Sequence, residues 1–96
     1  MAEDVDDEFY NRADSFIDVA NEQCKITERG KVSASFMYSL ARFNAWLCAT
    51  GFASDAQMHG AKSERIAYFM GQYREMLEEN INNYIENFDR YMKPDQ

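Results

Sequence analysis

The chain has 96 residues, which is enough for one domain with a core that can fold alone but not for two domains. A hydrophobic content of 46% and an aromatic content of 15% are typical of a folded protein and exclude a disordered chain. The net charge of −7 disfavours nucleic acid and anionic membranes as partners, because both bind basic surfaces. No apolar run is long enough to predict a transmembrane helix.

The chain begins with a cluster of acids, and we expect residues 1–6 to form a flexible acidic tail. A signal peptide would begin with basic and then apolar residues, so the expected compartment is the cytoplasm. Residues 7–25 are predicted to form helix one, with Asp6 or Asp7 as its cap. Their apolar residues recur at spacings of three and four, as on one face of a helix: Phe9, Ala13, Phe16, Ile17, Ala20 and Cys24.

Helix two is predicted over residues 32–50, after a turn that contains Gly30. Asn44 lies in the middle of its apolar face, and a buried amide without a partner costs on the order of 1–3 kcal/mol. Either it makes a core hydrogen bond that fixes the helix register, or it lines a binding pocket. Trp46 and Tyr38 lie on the polar side of the same helix. There they either pack against the following loop or form a contact surface.

The third predicted helix, residues 63–92, follows a longer connection over residues 52–62. Within this connection, Ser54 or Asp55 is the expected cap of a short helical turn that Gly60 interrupts. Ser63 is the expected N-cap of the third helix, and Pro94 stops it. Its apolar arc approaches half the circumference, which suits a helix that lies in the groove between two others. The predicted fold is therefore all-α, an antiparallel three-helix bundle with a long C-terminal helix.

The third helix is longer than the other two, so its last turns are expected to have no partner within one chain. An exposed apolar patch of this kind is rare on monomers. We therefore expect a homodimer or a complex with another protein, and the role of a small interaction or adaptor protein. Alternatively, the helix bends, or the acidic N-terminal segment folds over its end. The expected interface residues are Tyr84, Ile85, Phe88, Tyr91 and Met92, together with Trp46 and Tyr38.

The sequence contains no phosphate-binding loop, nucleophile motif or metalloprotease motif, so we expect no enzyme, no catalytic residue and no cofactor. His59 is the only histidine, and no cysteine lies at ligand spacing from it, so we expect no metal site. Cys24 and Cys48 are expected to be buried thiols at opposite ends of the bundle, too far apart for a disulfide. The alternative function is a small-molecule or cofactor binder with a pocket between helices near Asn44.

Three stretches of the sequence also resemble a known family: FIDVANEQCK, RGKVSASFMYSLARFNAW and QYREMLEENINNYIENFDRYM. They resemble a family of small bacterial proteins that is known only as a domain of unknown function. The resemblance implies a soluble, helical bacterial protein. It implies no activity, substrate or catalytic residue.

Overall fold

The computed structural model describes residues 5–95, and every regular element among them is helical. The all-α class and the long C-terminal helix predicted from the sequence are both confirmed. Residues 1–4 of the predicted acidic tail lie outside the described residues. The helices are α1 (Phe9–Gln23), α2 (Arg29–Ala49), α3 (Asp55–Glu86) and α4 (Phe88–Met92).

The chain divides into two compact units, one that extends to Gly60 and one that begins at Ala61. The first unit contains α1, α2 and the first turns of α3, and in it α1 and α2 contact each other. The second unit contains the rest of α3 and α4. Val32, in the first turn of α2, is 8% exposed and is the only buried residue within 5–95. Each unit therefore leaves most of its apolar side chains accessible.

An ion pair stabilises the start of α1. The Arg12 guanidinium donates hydrogen bonds of 2.6 and 3.3 Å to the Asp6 carboxylate, and Phe9 N–H donates to the Asp6 carbonyl at 3.1 Å. The N-cap position belongs to Glu8, which makes no side-chain capping bond. The prediction that Asp6 or Asp7 caps the helix is therefore wrong, because the Asp6 carboxylate binds a side chain one turn into the helix instead.

This ion pair predicts a pH dependence. The hydrogen bond from Arg12 holds the pKa of Asp6 below its ordinary value of 3.8. When folding lowers the pKa of a carboxyl group, that group stabilises the fold at pH values above its pKa in the unfolded chain. This stabilisation is lost as the pH falls through the lowered pKa of the folded state. Replacing Arg12 by Ala should return the pKa of Asp6 toward 3.8. Carboxyl-detected NMR titration measures this, and an unchanged Asp6 pKa in Arg12→Ala would contradict the assignment.

The first turn of α3 is fixed by side-chain caps. Ser54 Oγ accepts a hydrogen bond from Gln57 N–H at 3.2 Å, and Gln57 Oε1 accepts one from Ala53 N–H at 2.9 Å. These reciprocal bonds resemble a capping box. The helix therefore begins at Asp55 and continues through Gly60, where the sequence had predicted a loop and a later cap at Ser63. The connection from α2 shrinks to residues 50–54.

The C-terminal end of α3 is fixed by Asn87. Its side-chain amide donates to the Asn83 carbonyl at 2.9 Å, and its backbone N–H donates to the same oxygen at 3.1 Å. Asn87 takes φ −117° and ψ 24°, outside the helical range. Side-chain bonds to the backbone compete with regular helix structure in this way. The single helix predicted to residue 92 is therefore interrupted, and α4 follows as a short continuation.

The cap predicts a specific sensitivity of α3. Ser54→Ala removes the oxygen that satisfies Gln57 N–H and should lower the free energy of unfolding by about 1 kcal/mol. Ser63→Ala is the matched control, since Ser63 lies within α3 and alanine has the higher helix propensity. Denaturant unfolding followed by circular dichroism measures both. Equal losses in the two variants, or a loss only in Ser63→Ala, would contradict the observed start of α3.

Candidate protein-interaction surface

The apolar faces of the helices are exposed in both units. Met70 on α3 is 63% exposed, although the sequence predicted that its stripe would be buried between helices. A face of this kind is unusual in a chain that acts alone, because monomers rarely expose large contiguous apolar patches. The other exposed members of the predicted core include Phe16, Ile17, Leu40, Leu47, Ile66, Tyr73, Leu77 and Ile81.

One surface lies at the C-terminal end of the chain, and we call it the C-terminal patch. The interruption at Asn87 does not bury it, and Phe88 remains 51% exposed. The Tyr84 and Tyr91 rings contact each other edge to face across the interruption, with centroids 4.9 Å apart. Lys93 Nζ lies 5.8 Å from the Phe88 ring centroid. All five predicted members of the patch are exposed: Tyr84, Ile85, Phe88, Tyr91 and Met92.

A second surface lies on α2, and we call it the α2 groove. It contains both of the aromatic residues that the sequence predicted for an interface, Tyr38 and Trp46, and Trp46 is 60% exposed. The Phe43 and Trp46 rings are tilted at 45° with centroids 5.5 Å apart. The groove is an open depression formed by one helical face, and it is lined by Tyr38, Ser39, Arg42, Phe43, Ala45 and Trp46.

Four lining residues of the groove were missed as interface candidates. They lie between Tyr38 and Trp46 in the sequence, and the helical repeat places them on the same face of α2 as these two aromatic residues. The four residues are Ser39, Arg42, Phe43 and Ala45. In the sequence, the apolar spacing of α2 favours a core position for Phe43, whereas the charge of Arg42 favours a solvated one. A search for the residues three and four positions away from Tyr38 and Trp46 would have identified this face.

The remaining candidate residues do not form a site with the groove. Asn44 is half-buried but does not line the groove. Cys24 and Cys48 are both free, and Cys24 is exposed, so the prediction that both thiols are buried is wrong for Cys24. Within residues 5–95, no three side chains of the histidine, cysteine, aspartate and glutamate types come together as metal ligands. None of the described helices is both long and apolar enough to span a membrane.

The described chain is thus a small all-α protein whose candidate site is a pair of exposed aromatic surfaces. It belongs to the family described as "Protein of unknown function (DUF3144)", which matches residues 9–85. This match confirms the resemblance found in the sequence. No curated protein matches the chain.

A solved structure supports the fold. The chain is similar to the protein in "NMR structure of the protein NB7890A from Shewanella sp", with a TM-score of 0.78 and 45% sequence identity. The match covers 98% of this chain and 100% of that chain. The two proteins therefore share a fold along nearly their whole length.

Proposed function

We propose that this protein acts by protein–protein interaction, as a homo-oligomer or an adaptor whose apolar helix faces are covered by another polypeptide. The observation that supports the proposal most directly is the burial pattern. Val32 is the only buried residue among those described, while both aromatic surfaces are exposed. The proposal assigns no catalytic role to any residue.

The composition of the two surfaces fits this role. Tyrosine, tryptophan and arginine are enriched among the residues that contribute most to protein–protein binding, and the α2 groove presents all three. Tyr84 and Tyr91 add two further aromatic rings in the C-terminal patch, already ordered against each other. Rigid aromatic side chains lose little conformational entropy on binding, which favours their use as anchors.

The net charge and the cysteines fit an intracellular setting for this role. An acidic chain is unsuited to anionic membranes and nucleic acid, which leaves protein surfaces as the macromolecular partner. Two unpaired cysteines suit a reducing compartment, where thiols are not oxidised to disulfides. We therefore include a cytoplasmic location in the proposal.

The proposal predicts that a charge in the C-terminal patch weakens association. Phe88→Asp places a carboxylate where an aromatic ring should be covered, and we expect association to weaken roughly thirtyfold, or about 2 kcal/mol. Light scattering and sedimentation velocity at micromolar concentration measure the mass of each variant. Wild-type protein should exceed the mass of a single chain, and Phe88→Asp should approach it.

Asn82→Asp provides the matched control. It introduces the same negative charge on α3, six residues before Phe88, on the side opposite the apolar stripe. Its mass distribution should equal that of the wild type. Two results together would contradict the proposal. The first is a purely monomeric wild-type protein whose Phe88→Asp variant is equally stable. The second is a pull-down from the native cell that captures no specific partner.

A further inference from the structure

We infer that the C-terminal patch of one chain docks into the α2 groove of a second copy, and that the reciprocal contact closes a twofold dimer. This inference rests on the proposed function and names the partner. A twofold arrangement uses both surfaces of each chain in two equivalent contacts. Helix length and charge each support it.

Helix length shows that α2 cannot cover the whole of α3. The helix α3 has 32 residues, about 48 Å, while α2 has 21 residues, about 31 Å. After a connection of only five residues, 50–54, a helix that returned along α2 could place no more than its first 21 residues beside it. α2 therefore cannot cover residues 76–92, which we call the distal segment.

Charge and length favour the α2 groove as the cover. The distal segment has four carboxylates and one cation: Glu78, Glu79, Glu86, Asp89 and Arg90. A second distal segment would therefore repel it. By contrast, α2 has no carboxylate, and two of its cations, Lys31 and Arg42, project to the groove side of the helix, while Arg29 projects to the side of Leu47. Charge complementarity of this kind orients partners and selects among them. The distal segment spans about 25 Å, so it also fits along α2.

The α2 groove is also the free side of its helix. At about 100° per residue, Tyr38, Arg42 and Trp46 project away from the apolar face that contains Leu40 and Leu47. The apolar face can therefore pack within the chain while the groove receives a second copy. The docked state would place the Phe88 and Tyr91 rings of one chain against Trp46 and Tyr38 of the other. Ring–ring contacts favour this arrangement, and cation–π contacts from Arg42, which would lie among the rings, also favour it.

An isotope-filtered NOE experiment tests this contact without any mutation. Uniformly ¹³C-labelled and unlabelled chains are mixed in equal amounts in denaturant and refolded, so that half of the dimers contain one chain of each kind. NOEs selected between labelled and unlabelled chains should connect the Trp46 indole with the Phe88 and Tyr91 rings. Trp46 is the only tryptophan, so its resonances are assigned directly.

Each other result has a defined meaning. Associated chains with no filtered NOE at Trp46, or with filtered NOEs that join one C-terminal patch to another, would overturn the inference and leave the proposed function standing. NOEs between Trp46 and Phe88 that occur only within one chain would overturn it in favour of internal closure. A purely monomeric chain would overturn the inference, while capture of a different protein would still preserve the proposed function.

Trp46 fluorescence provides a second test in the same protein. On dilution, its emission should shift to longer wavelength with the midpoint of dissociation seen by sedimentation, because the indole leaves the docked patch for water. Phe88→Asp should show this red shift at a roughly thirtyfold higher concentration than the wild type, while Asn82→Asp should follow the wild type. Dissociation that leaves Trp46 emission unchanged would contradict docking in the α2 groove.

Discussion

The structure depends on a shortage of buried apolar surface within a single chain. Each helix buries its apolar face only if another element covers it, and a short chain has few elements to offer. Here α1 and α2 contact each other, yet Val32 alone is buried among residues 5–95. Hydrophobic burial is the dominant favourable term in folding. The exposed faces are therefore the part of the molecule that requires an explanation by function.

Local hydrogen bonds make this shortage more acute by setting the length of α3. The Ser54 and Gln57 caps start the helix early, and Asn87 interrupts it only after 32 residues. The resulting helix is longer than α1 and α2, so its distal segment extends beyond any cover that α2 can provide. The caps at the start of α3, and the Asn87 hydrogen bonds that compete with the regular helix at its end, thus determine where an apolar surface is left for a partner.

The sequence predicts the all-α class, the long C-terminal helix and the exposed aromatic residues, because apolar spacing and residue size express these directly. It predicts a short turn capped by Ser54 or Asp55, but not that this turn continues through Gly60 into α3. Gly60 and the Ser63–Glu64 pair are stronger local signals than Ser54, whose cap depends on a bond from Gln57. The α2 groove was missed in part because its Phe43 fits the apolar spacing of a core, whereas its Arg42 is charged and suits solvent. Exposure of Cys24 and Met70 depends on tertiary packing, which local periodicity does not encode.

The most direct test of self-association is the concentration dependence of thermal unfolding. If folding and association are coupled, each tenfold rise in concentration adds about 1.4 kcal/mol to the stability of the dimer. For a dimer of this size, the unfolding midpoint should then rise by about 3–6 °C per tenfold step. Circular dichroism across two decades of concentration measures it. A midpoint that does not change with concentration would contradict the account, because it would show that one chain alone buries enough surface to fold.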